Sequence, residues 1–254
     1  MDKRYRDISQ IISILILNSY YLAPIGKNIP LPVFNCYSCP LASFACPIGT
    51  LQHFIILREF PFLLLGILLF SGIIMGRYFC GFFCPFGTLQ DWLFKIKIPK
   101  INLGNKFANI IRWSIFIILV IFIPYITLEP WFCKLCPNGT LTAGIPQVIL
   151  KTQLRNLIGF LFVIKILILI IFLILCLLIY RFFCRYICPL GTILSIFNGI
   201  SFKHLEIRET CKKCGLCTAK CPVNIEVYKE PNSPNCIRCL ECTDCKDIIS
   251  RFSL

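Results

Sequence analysis

Sixteen of the chain's eighteen cysteines fall into short groups built on CxxC and CxxxC, and Cys46 follows one such pair by seven residues. A structural disulfide between distant segments needs no such spacing, whereas a metal ion or an iron–sulfur cluster draws several ligands from one turn of chain. The grouping also repeats. "GRYFCGFFCPFGTLQDWL", beginning at Gly76, returns as "YRFFCRYICPLGTILSIF" from Tyr180, with the Cys-Pro steps at Cys84 and Cys188 offset by 104 residues. Both copies directly follow a long apolar run.

Composition places those runs in a bilayer. Of 254 residues, 57% are hydrophobic, and the mean hydropathy is +0.78, more apolar surface than a soluble domain of this size hides. The expected spans are residues 8–25, 60–78, 110–126 and 157–180. The first is broken by Asn18, Ser19, Tyr20 and Tyr21 and, lacking a small-x-small cleavage site, reads as a retained anchor. The formal charge of +14 does not gather into one basic domain but lies beside the apolar runs, which argues against nucleic-acid binding. Lys and Arg number three in the N-terminal tail and six from Arg77 to Arg112. The alternate links hold two (Lys27, Arg58) and three (Lys134, Lys151, Arg155). The positive-inside rule puts both termini and the middle link in the cytoplasm. Trp92, Trp113 and Trp131 read as interfacial anchors, and Lys165 as a cation snorkelling outward.

The expected architecture is therefore a membrane all-α domain over residues 1–202, with four transmembrane helices in a tandem two-helix repeat. Its parallel halves cover about residues 1–105 and 106–202. "CP-x-GT" occurs once in each of four links, at Cys46, Cys84, Cys136 and Cys188. Proline suits the first turn of a helix and glycine permits close approach, so each step can start a helix whose amino end faces the thiols. Residues 203–254 turn polar and carry eight cysteines, a separate small α+β unit of ferredoxin-like type.

In that unit Cys211, Cys214, Cys217 and Cys221 stand in "CKKCGLCTAKCP", the C-x2-C-x2-C-x3-C-P run of bacterial two-cluster ferredoxins. Because the fourth cysteine of such a run serves the other cluster, one [4Fe–4S] set is Cys211, Cys214, Cys217 and Cys245. The other is Cys236, Cys239, Cys242 and Cys221. The second run departs from pattern in its last spacing and in Lys246, which stands where proline is expected. Four-cysteine zinc sites are the plain alternative.

The expected topology gathers Cys80, Cys84, Cys184 and Cys188 at the inner membrane edge, enough for one further cluster. Cys36, Cys39, Cys46, Cys133 and Cys136 lie at the outer edge, one more than a cluster needs. These membrane cysteines could instead form disulfides or bind copper or zinc. Cys176, flanked by leucines, reads as an inert apolar residue. With only His53 and His204 present, a haem-bearing cytochrome b is disfavoured.

On "CGFFCP", "CRYICP" and "CKKCGLCTAKCP" the chain resembles the NapH-type membrane polyferredoxins, and it is similar to the membrane cores of NosR and CcoG-like proteins. The resemblance implies electron transfer, or a 4Fe-4S quinol dehydrogenase component, between a menaquinone or ubiquinone pool or a cytoplasmic donor and a redox partner protein. It implies a prokaryotic cytoplasmic membrane surrounded by lipid. The expectation is thus an electron-transfer protein with two clusters in the tail and one or two more at the membrane cysteines. Two alternatives stay open: a quinol-oxidising subunit with clusters only in the tail, and a membrane thiol–disulfide or metal-handling protein.

Overall fold

The computed structural model describes residues 3–101, 104–155, 158–245 and 247–252. Leu157, the expected start of the fourth span, and Lys246 lie outside the described residues. Helix α1 (Lys3–Leu17) leads to α2 (Pro47–Leu57) and α3 (Phe62–Met75). A one-turn π-helix (Phe79–Phe83) carries Cys80 into α4 (Pro85–Phe94). Then come α5 (Phe107–Thr127), α6 (137–150), α7 (Phe160–Leu178) and α8 (Pro189–Ile196). Strands β1 (Lys203–Ile207) and β2 (Ile248–Phe252) pair antiparallel, Lys203 opposite Phe252, and close the cysteine-rich tail into a loop.

Four spans are not what the chain forms. Among the described residues, only α5 and α7 are long and apolar enough to cross a membrane. The first apolar segment stops as a helix at Leu17, where the Asn35 side chain donates to the Leu17 carbonyl (3.0 Å) and Ser43 Oγ donates to those of Ile16 and Ser19. One face of α1 is polar and buried. Gln10 and Ser13 donate to the carbonyls of Gly81 and Phe83, and Arg6 to that of Cys239, so this helix packs on protein. The second segment is helical for only 14 residues, about 21 Å, short of a hydrocarbon layer of about 30 Å. Counting apolar residues registered composition but not these packed faces and short lengths.

The core runs continuously from the long apolar helices into the tail. Leu64, Val120, Phe172, Phe183, Leu194 and Ile237 belong to one buried cluster. The tail is fastened by Asn198, whose side-chain amide donates to the carbonyls of Ser233 (3.0 Å) and Cys236 (2.8 Å). Arg238 returns two bonds, to the carbonyls of Lys203 and Asn198. The closest approach is at Gly81, where a Cβ would lie 2.8 Å from the Arg238 carbonyl oxygen and 3.0 Å from that of Ile237. Both obstacles are backbone. Gly81→Ala is expected to cost about 1–3 kcal/mol by overpacking, read as a lowered thermal midpoint of the full chain in detergent. Gly66→Ala, with open space around it, is the matched control that leaves the midpoint in place.

Candidate cysteine metal centres

The four "CP-x-GT" steps fold alike. Cys46, Cys84, Cys136 and Cys188 are each the N-cap of a helix that begins with proline, with extended backbone at the cysteine. In every copy the threonine returns to the cysteine carbonyl through both its amide and its hydroxyl, the latter at 3.1–3.2 Å. This explains the threonine, which sequence reading left without a role. It also fixes each thiol over the first turn, where free N–H groups point outward. The Gly191 amide donates to Cys188 Sγ at 3.3 Å.

Cys36, Cys46, Cys133 and Cys136 line a single cavity of about 210 Å³, together with Lys165 from α7. Lys165 therefore faces this cavity, where sequence reading had it snorkelling outward. Cys39 does not line the cavity; it is buried beside Ala42 and Ala143, in a cluster against which Cys36 also packs. Glycine keeps the cavity open: a Cβ at Gly49 would lie 3.6 Å from Cys133 Sγ, and one at Gly139 the same distance from Cys36 Sγ. The Gln52 side chain accepts from the Cys133 amide at 3.2 Å.

Cys80, Cys84, Cys184 and Cys188 are all buried in the main core, which also holds Cys46, Cys136 and Cys176. Burial pushes the Cys84 thiol up to about 12, and the neighbouring Cys184 and Cys80 push the same way, opposed by the N–H groups of Phe34 and Gly87. Burial likewise raises Cys188, helped by Cys184, Cys80 and Cys84. Thiols raised in this way ionise only around compensating positive charge, which is what a bound metal group supplies. Cys176 is not isolated. Its Sγ donates to Gln90 Oε1 at 3.7 Å, and Gln90 Nε2 donates to Cys184 Sγ at 3.4 Å.

In the tail, Cys221, Cys236, Cys239 and Cys242 line one small cavity, the grouping expected from ferredoxin order. Of the remaining four, Cys217 and Cys245 share a core cluster, Cys211 is half-buried and Cys214 is exposed. Among the described residues, no three Cys, His, Asp or Glu side chains converge on a single-ion position. Tetrahedral zinc would need thiolates about 3.8 Å apart (from Zn–S near 2.3 Å).

The two membrane-side sets are close neighbours. Burial lifts the Cys46 thiol to about 11, opposed by N–H groups that include that of Asn35. Cys84 is served by Phe34, the preceding residue. Adjacent amides thus face thiols of different sets, which keeps those sulfurs within about 10 Å of each other, given one residue of chain and two N–H···S contacts. The Phe34 ring lines the outer cavity and packs against Phe86 (5.8 Å between centroids) and Phe183 (5.0 Å), which flank the inner cysteines. Sequence reading missed Phe34 and Asn35, which no motif marks.

It also missed Arg77, Arg181 and Asp91. Both arginines are fully buried, and each stands three residues before the first cysteine of an inner pair, in "RYFC" and "RFFC". That repeat was the available signal.

Four stretches of the chain, residues 43–60, 59–106, 110–156 and 156–208, match the family described as a 4Fe-4S binding domain. Together they span well over half of it, and each contains one "CP-x-GT" step. Uncharacterized protein MJ0750 of Methanocaldococcus jannaschii is 34% identical over 214 residues, 79% of this chain and 83% of that one. Uncharacterized protein MJ0749 of the same organism is 29% identical over 162 residues, 61% of this chain and 54% of that one. A putative electron transport protein of Escherichia coli, YccM, is 40% identical over 47 residues, 18% of this chain and 13% of its own length. No solved structure matches.

Proposed function

Because the chain belongs to the family of 4Fe-4S binding domains, we propose that it is a membrane-held electron-transfer protein whose four cysteine sets each hold a [4Fe–4S] cluster. The tail sets would be Cys211, Cys214, Cys217 and Cys245, and Cys221, Cys236, Cys239 and Cys242. The membrane-side sets would be Cys80, Cys84, Cys184 and Cys188, and Cys36, Cys46, Cys133 and Cys136. Within the family we place it with the NapH-type polyferredoxins, on its two CxxxCP pairs and its "CKKCGLCTAKCP" run. Each cluster would supply a one-electron couple.

The chain's own residues do the rest. Thiols ligate, helix amino ends favour their anionic form, and the aromatic core around Phe34 keeps water out. Cys214 is the exposed end where a soluble redox partner has access. Lipid surrounds α5 and α7, and the loop between them brings Cys133 and Cys136 to the opposite end from the tail.

The observation that carries this reading is the Phe34–Asn35 step. A separation of no more than about 10 Å between sulfurs of the two sets is roughly a third of the hydrocarbon thickness, and tunnelling falls steeply with distance. Vesicles loaded with oxidised cytochrome c and given dithionite outside provide the test. Wild-type chain should reduce the trapped protein, and Cys84→Ser should not. Equal rates for the two would sink the conduit.

The outer set yields a second expectation. Cys36→Ser should lose about four irons per chain, one cubane, while Cys39→Ser keeps the wild-type content. Iron analysis of protein purified without oxygen reads both.

A further inference from the structure

The two halves of the inner cysteine set clasp each other through a reciprocal pair of arginines. Arg77, from the first half, donates through Nη2 to the carbonyl of Cys184 at 2.9 Å. Arg181, from the second, donates through Nη1 to the carbonyl of Cys80 at 2.6 Å. Each guanidinium lies against the "CP-x-G" glycine of the opposite half, Arg77 against Gly191 and Arg181 against Gly87.

The symmetry stops at charge. Arg181 is bound by both oxygens of Asp91, at 2.7 Å and 2.5 Å. Asp91 follows Cys84 by seven residues, and the residue seven after Cys188 is Ser195, which carries no charge. Among the described residues, no carboxylate pairs with Arg77, and its Nε has no hydrogen-bond partner. Its remaining bond runs from Nη1 to the carbonyl of Pro234 at 3.0 Å, two residues before Cys236. A fully buried, unneutralised cation therefore sits between the inner cysteine set and the tail set of Cys236. A bare buried charge is costly unless an anion answers it.

We propose that Arg77 is a positioning residue whose uncompensated charge is answered by the anionic cysteinate clusters on its two sides, raising the reduction potential of both. This rests on the cluster-binding reading above. A positive charge stabilises the more negative, reduced form of a cluster over its oxidised form. The two centres beside Arg77 would then hold the electron more readily than the outer set does.

Two variants remove the charge by independent routes. Arg77→Gln deletes it, and Ser195→Asp installs in the second half the carboxylate that Asp91 provides in the first. Potentials are read by redox titration of the full chain followed by electron paramagnetic resonance. The two relevant signals are identified by their loss in Cys188→Ser and Cys239→Ser. Either variant should lower the reduced-to-oxidised ratio of these two centres about tenfold at fixed potential, about 59 mV for a one-electron couple. Arg77→Lys should restore it, which a purely structural clasp would not predict, because lysine loses the planar two-way bonding. Unchanged midpoints with full iron content, in whichever of the two variants folds, overturn the proposal. Wild-type protein with no iron beyond the tail overturns instead the reading beneath it.

Discussion

Cys188→Ser should purify with about four fewer irons per chain than the wild type, while the tail retains its own complement. The cysteine is buried beside Cys80, Cys84 and Cys184, and its sulfur receives the Gly191 amide. Serine keeps the helix cap and the threonine bonds to the residue 188 carbonyl but removes a thiolate. The change is thus chemical, with little loss of fold. Cys84→Ser should behave identically, because the two residues occupy equivalent positions in the two halves. Loss of iron from one variant alone would mean that the halves do not complete a single set.

Asp91→Asn should be the most destabilising single change outside the cysteines. Asp91 accepts bonds from Arg181 Nε and Nη2, from Arg6 Nη2 at 3.3 Å and from Gln10 Nε2 at 3.0 Å. It joins α1, α4 and the second half of the inner site. Removing its charge leaves the buried Arg181 guanidinium facing a neutral amide, while Arg6 keeps Glu241 at 2.8 Å, and breaking a buried pair from one side costs about 3–5 kcal/mol. Burial opposes ionisation of Asp91, but Arg181 and Arg6 outweigh it and hold the carboxyl below its ordinary range. The sign follows from that depression. The stabilisation is complete above the unfolded-state value of about 3.9 and is lost as pH falls toward the folded one. Wild-type chain should therefore lose thermal stability on acidification below about pH 4, and Asp91→Asn should lose less over the same range. Parallel acid profiles for the two proteins would count against this assignment.

The 4Fe-4S character of the chain was legible because its signal is local. A C-x2-C-x2-C-x3-C-P run states its own chemistry, and a motif repeated 104 residues apart states that two copies act together. The span count was not legible. Ile8, Ile11 and Leu15 look like membrane residues, but Arg6, Gln10 and Ser13 form a buried polar face visible only once Gly81, Phe82 and Phe83 offer their carbonyls. Nor could the spare thiol be chosen. Cys36 and Cys39 are equivalent by spacing, and only the fold turns one into the cavity and the other toward Ala42 and Ala143. Arg77 was tallied as a topology-setting charge at a membrane edge and Arg181 was given no role, whereas both are buried with no exposed surface. Asp91 looked like any polar residue on an interfacial helix until Arg181, 90 positions away, closed on it.

The central claim is that four cysteine sets, two in the tail and two at the membrane helices, are all cluster sites. It is tested most directly by iron and acid-labile sulfide per chain on full-length protein purified without oxygen. The account predicts about sixteen irons and as many sulfides, four of each per cubane. About eight of each would contradict it, confining the clusters to residues 203–254 and leaving the buried thiols around Phe34 and Asn35 without the metal they are arranged to hold.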